Sequence, residues 1–186
     1  MLRAIDAVVR GLARFNDALM AVCRHLITFI VAALAVILIA AVVWRYGFDS
    51  AISWSEEACK YLMVWLAFLG TPIALRNFAH INIDLLAKAM PPRIQQLLHV
   101  VVSLIIVFTM TVVTWKGIGF TQLGMRQVAS SFNLSMMYMY VAVPIGAGLT
   151  ALVALEHALR ALVGVADPAR GLHDPGGDWA QDGPVA

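Results

Sequence analysis

The run LITFIVAALAVILIAAVVW, Leu26 to Trp44, decides the fold: 19 consecutive residues carry no charge. A helix rises about 1.5 Å per residue, so about 20 apolar residues cross the roughly 30 Å hydrocarbon core of a bilayer. Further along the chain, Leu97 to Trp115 is another 19-residue run whose only titratable side chain is His99. Gln127 to Leu155 is uncharged over 29 residues, and its apolar part, Leu134 to Leu155, reads as a further span. Tyr61 to Leu75 gives only 15 residues between Lys60 and Arg76, which is short for a crossing. Ser53, Trp54, Ser55 and Glu56 have the spacing of a capping box, in which a serine hydroxyl and a glutamate carboxylate satisfy the first free amides of a helix. The helix then starts earlier and its terminal charges snorkel, giving a span from about Trp54 to Leu75.

Composition agrees. Of 186 residues, 61% are hydrophobic and 13% charged, and the mean hydropathy is +0.83; a soluble domain carries about 25% charged residues. A water-soluble enzyme is excluded. The net charge of +2, from 13 basic and 11 acidic residues, leaves no basic footprint for nucleic acid. The runs lack the alternating ten-residue pattern of an outer-membrane barrel. A cleaved signal peptide is not expected either, because the first run is long and begins after 25 residues. The expected fold is an all-α integral membrane protein with four transmembrane helices, over about 26–44, 54–75, 97–115 and 134–155.

Orientation follows from the basic residues, which are retained on the cytoplasmic side. Arg3, Arg10, Arg14, Arg24, Arg76, Lys88, Arg93, Arg160 and Arg170 fall on one side, and Arg45, Lys60, Lys116 and Arg126 on the other. Nine against four predicts that both termini are cytoplasmic. Cys23 and Cys59 then sit at opposite faces and cannot pair. Leu2, Ile5, Val9, Leu12, Phe15 and Leu19 recur at helical spacing, which predicts an amphipathic helix in the membrane interface over residues 1–21. The four-helix membrane domain follows over 22–160. Residues 161–186, rich in Gly, Pro and Asp, are expected to form a disordered cytoplasmic tail.

The middle of every span is uncharged. Solute and ion pathways need ionisable groups or broken backbone near the midplane, and a channel needs a polar lining. Thr28, Thr71, Ser103, Thr109, Thr111 and Thr150 are the polar residues inside, and each can bond its own helix. Pro72 and Pro144 can kink spans two and four without making a substrate site. No catalytic residue, metal site or cofactor site is expected. Small residues instead mark helix contacts: Ala142, Gly146, Thr150, Ala154 and Ala158 recur every fourth residue on span four, as do Ala67 with Thr71 and Gly70 with Ala74 on span two. Such ridges let backbones approach closely, either within the chain or on a partner. Span two also carries charge at both ends. Glu56 with Lys60 and Glu57 with Tyr61 are one turn apart, and Arg76, His80, Asp84 and Lys88 follow at four-residue steps.

The stretch Trp54 to Asp84, WSEEACKYLMVWLAFLGTPIALRNFAHINID, resembles the small membrane subunit of tripartite ATP-independent periplasmic (TRAP) transporters, the DctQ-like component. Glu56 and Glu57, the segment from Trp65 to Gly70, Arg76, and His80 followed by Asp84 fall where the family pattern places them. Tyr140 to Gly146, YVAVPIG, is similar to the opening of that family's last span. The resemblance covers about residues 20 to 160. It implies a multi-pass protein of the bacterial inner membrane that binds a large membrane subunit, which carries the substrate and sodium sites, while this subunit extends its static scaffold. It also implies a periplasmic binding protein that delivers an organic acid. Glu56, Glu57, Lys60, Trp65, Gly70, Arg76, His80, Asp84, Gly146 and Thr150 are the candidates for the partner interface, with membrane lipid around them.

One reading from another class uses the histidines. His25, His80, His99 and His157 fall near cytoplasmic helix ends, and paired histidines on neighbouring helices can ligate haem in the membrane anchor of a respiratory redox enzyme.

Overall fold

The structure, a computed structural model, describes residues 2–50, 52–78, 92–131 and 134–166. These form helices α1 (Leu2–Gly47), α2 (Ser55–Phe78), α3 (Pro92–Gly124), the single turn α4 (Met137–Tyr140) and α5 (Ala142–Ala166). Four stretches are long and apolar enough to cross a membrane, the last running through α4 and α5 from Met137 to Leu162. The only strand-like pairing among the described residues is the bridge between Val128 and Ser135. The protein is all-α and membrane-embedded. The expected tail lies largely beyond the described residues, as do His80, Asp84 and Lys88.

α1 carries the expected interfacial segment and span one as one uninterrupted helix of 46 residues. Met20, Cys23, Ile30 and Leu34 are its most buried apolar residues, with Ile27 and Ile37 packed against the same cluster. Steps of three and four residues make this a narrow seam. The seam meets Cys59 and Leu69 of α2 and Val153 of α5, while Phe29, Val36 and Tyr46 stay exposed on α1's other faces. Both cysteines are free.

The first helical carbonyl of α2 is Trp54, which accepts from the Ala58 amide at 3.0 Å, and Ser55 Oγ donates to Ile52 O at 2.8 Å. The helix therefore begins one residue later than a Ser53 cap would place it, and Glu56 turns outward to Arg45. Pro72 sits inside α2 without ending it.

α5 is the centre of the fold, between α3 on one side and the α1–α2 pair on the other. Ala142, Ala147, Thr150, Val153, Ala154 and Ala158 are each at most 2% exposed. Lipid supplies no hydrophobic drive between helices, so association depends on close backbone approach, and small side chains on several faces let α5 have three neighbours. One rung is missing just before it, because Pro144 has no amide to offer Tyr140 O; on either side the helical bonds are made, from the Val141 amide to Met137 O at 2.9 Å and from the Ile145 amide to Val141 O at 3.3 Å. Thr28, Thr71, Thr111 and Thr150 each donate a hydroxyl to the carbonyl four residues back, at 2.7 to 3.0 Å. These four of the six polar residues named inside the spans are satisfied by their own helices, as their spacing predicts.

Candidate partner-facing site

The charged candidates gather at the two ends of α2. At its start, Glu57 accepts three hydrogen bonds: from the amides of Ser130 and Ser131 at 3.2 and 2.8 Å, and from Tyr61 Oη at 2.9 Å. One turn further on, the Trp65 indole Nε1–H donates to Tyr138 O at 3.0 Å. Between α3 and α4 the chain doubles back, with the Ala129 amide on Leu134 O at 2.8 Å and the Met136 amide on Gln127 O at 3.0 Å. Glu57 and Trp65 therefore pin this loop and the following turn over the head of α2. Glu56 lies 3.7 Å from Arg45, with both side chains well exposed, a pairing that contributes little on its own. Lys60 is exposed on the same face.

At the other end, Arg76 holds Asp17 of α1 at 2.6 Å and lies 3.9 Å from Glu156 of α5. The Glu156 side chain is 3% exposed and is held at 2.6 Å by Arg160 and at 2.6 Å by Asn16 Nδ2. Asn16 is fully buried. A carboxylate needs donors, which fixes the amide nitrogen toward Glu156. Asn16 Nδ2 also reaches Leu152 O at 3.4 Å. Oδ1 of Asn16 and Nε of Arg160 have no hydrogen-bond partner among the described residues. Charge buried this deeply is kept only when paired, and here the pairing ties α1, α2 and α5 together.

The sequence reading did not single out Asn16, Glu156 or Arg160. A signal was present: Glu156 is the only acidic residue between Asp84 and Asp167, with Arg160 one turn beyond it. Its distant partner, 140 residues away in the chain, leaves no local trace.

The two small-residue ridges part company. Gly146 and Thr150 lie inside the chain: Thr150 is 2% exposed, and a Cβ on Gly146 would collide with Phe68 O. On α2, by contrast, Ala67, Thr71 and Ala74 are exposed, in line with Met63, Lys60 and Glu56. Gly70 has open space where its Cβ would stand. The outward face of α2 is thus a stripe of small side chains with charge at its head.

Four spans with uncharged middles and ion pairs at their ends define a multi-pass membrane protein whose open faces include the small-residue stripe of α2 and the apolar outer faces of α1 and α3. The chain belongs to the family described as "Tripartite ATP-independent periplasmic transporters, DctQ component", whose pattern matches residues 34–164. It is similar to a TRAP transporter small permease protein of Haemophilus influenzae, 37% identical over 98 residues, which is 52% of this chain and 58% of that relative. It is also similar to the isethionate TRAP transporter permease protein DctMQ of Oleidesulfovibrio alaskensis, 25% identical over 109 residues, 58% of this chain and 17% of that protein. The sialic acid TRAP transporter permease protein SiaT of Haemophilus influenzae is 39% identical over 70 residues, 38% of this chain and 11% of that protein. The chain therefore spans less than two thirds of the length of each of these relatives. It is a multi-pass protein of the inner membrane, and its family is one of transporter components rather than enzymes. The comparisons give no support to the haem-anchor reading.

Proposed function

We propose that the chain is the small membrane subunit of a sodium-coupled TRAP transporter, packing on a large membrane subunit and extending its scaffold. The large subunit carries the sodium and substrate sites, and a periplasmic binding protein delivers an organic acid to the pair. The observation that carries this reading is the chemistry of the spans. Between Leu26 and Trp44, Tyr61 and Leu75, Leu97 and Trp115, and Ala142 and Leu155 the sequence has no carboxylate and no Lys or Arg. A permeant exchanging its hydration shell at the midplane would find nothing to bind. The relatives add support, since sequence like this one makes up a minor part of two much longer permease proteins. Their names mention isethionate and sialic acid, both organic acids. Both termini are assigned to the cytoplasm on the distribution of basic residues.

Reconstitution tests the reading. Liposomes holding this chain with its large subunit and the binding protein should take up an organic acid when sodium is higher outside, and liposomes holding this chain alone should not. Sodium-driven uptake by the chain alone would refute it.

A further inference from the structure

At the Gly47 end, α1 and α2 part and leave a crevice of about 600 Å³, within the range of about 300 to 1,000 Å³ typical of small-molecule sites. The cause is a length mismatch. Asp17 holds Arg76 at one end and Arg45 stands 3.7 Å from Glu56 at the other, but between these two points of approach α1 runs for about 42 Å and α2 for about 30 Å, at about 1.5 Å per residue. The longer segment diverges, and the gap opens where the apolar run of α1 ends.

The crevice walls are apolar, with Leu38, Ala41 and Val42 from α1 and Met63 from α2. Its rim carries Arg45, Lys60 and Glu56, leaving one positive charge in excess. Leu38 to Val42 lie at hydrocarbon depth by sequence, and Arg45 immediately follows the uncharged run, at the level of lipid headgroups. An aqueous anion would gain nothing from the walls, and an uncharged helix would gain nothing from the rim. An anionic glycerophospholipid uses both.

We infer that this crevice is a binding site for an anionic phospholipid of the phosphatidylglycerol type, with an acyl chain along Leu38, Ala41 and Met63 and the phosphate between Arg45 and Lys60. All of its lining residues belong to this chain, and Glu56, Lys60 and Met63 among them also stand at the head of the outward stripe of α2. It also gives Lys60 a role that its position at a partner interface does not require.

The test is native mass spectrometry of the full chain in detergent, titrated with phosphatidylglycerol or with phosphatidylethanolamine bearing the same acyl chains. Wild type should take up one phosphatidylglycerol in preference to phosphatidylethanolamine. Arg45→Ala and Lys60→Ala should each weaken binding about fivefold, as expected for one cation near a lipid phosphate. Ala41→Phe fills the crevice without touching the charge and should abolish the bound lipid. Equal affinity for the two lipids, or undiminished binding in Ala41→Phe, would overturn the proposal. So would efficient cross-linking in native membranes from a cysteine at Ala41 to another protein, because the crevice would then hold a polypeptide.

Discussion

Gly146 lies against the carbonyl oxygen of Phe68, the oxygen that Pro72 leaves without a helical donor. Pro72 has no amide, so the bond that would close the turn from residue 72 to residue 68 is missing. At membrane depth no water can replace it. The α-hydrogen of Gly146 points at that oxygen, and a Cβ in its place would also meet Phe68 Cβ at 2.6 Å. The two helices touch where one has spent a hydrogen bond and the other has no side chain.

Gly146→Ala should therefore destabilise the chain by about 1 to 3 kcal/mol, the usual cost of overpacking a site that cannot yield. Gly148→Ala is the control, because its Cβ would meet only Thr114 atoms at an ordinary 3.9 Å. Thermal unfolding in detergent should show a clear drop for Gly146→Ala and almost none for Gly148→Ala. Equal stability of the two variants would mean that the Phe68 backbone gives way.

The tie between α1, α2 and α5 responds to charge. Removing the Arg160 guanidinium leaves the buried Glu156 carboxylate with only Asn16 and the longer 3.9 Å approach of Arg76, and the loss is bounded by the about 3 to 5 kcal/mol of a fully unpaired buried charge. Arg160→Met should lower the unfolding temperature strongly. Adding Glu156→Gln should restore much of the loss, because the remaining group is neutral and still accepts from Asn16. A double variant no more stable than Arg160→Met would show that packing, not charge, holds the three helices.

Glu57 acts on the loop rather than on the helix core. It accepts the amides of Ser130 and Ser131, so Glu57→Ala should speed hydrogen exchange at those two amides while leaving the interiors of α2 and α5 protected. Unchanged exchange at Ser130 and Ser131 would show that the loop is held by its own bonds, such as Ala129 to Leu134.

Orientation is open to labelling. With both termini cytoplasmic, a cysteine introduced at Ser50 should react with a membrane-impermeant reagent in intact cells, and one at Gly171 should not. The reverse pattern would invert the topology.

The spans were legible because lipid leaves the backbone no partner but itself, so a crossing helix must be written as a long apolar run. Leu26 to Trp44 and Leu97 to Trp115 could hardly be anything else. The segment before span four shows the limit of counting charge: Gln127, Ser130, Ser131 and Ser135 are uncharged yet polar, and they form the loop over α2 rather than helix. Arg76 and Glu57 stood out as unusual residues, but their partners within the chain, Asp17 and the Ser130–Ser131 amides, are far away in sequence and carry no periodic mark. For the small-residue ridges, the sequence supplies the shape of the contact but not its other half. The Gly146 ridge turns inward and the Ala67–Thr71–Ala74 stripe turns outward, a difference set by which helix happens to lie opposite.

On the proposed function, this chain packs on a larger membrane partner. The most direct measurement is affinity purification of the tagged chain, co-expressed with the large permease protein of its transporter and extracted in mild detergent. The expected result is one complex in which the two proteins elute together, weakened when Ala67 and Ala74 on the outward face of α2 are both replaced by Phe. Separate elution of the two intact, folded proteins would contradict the account.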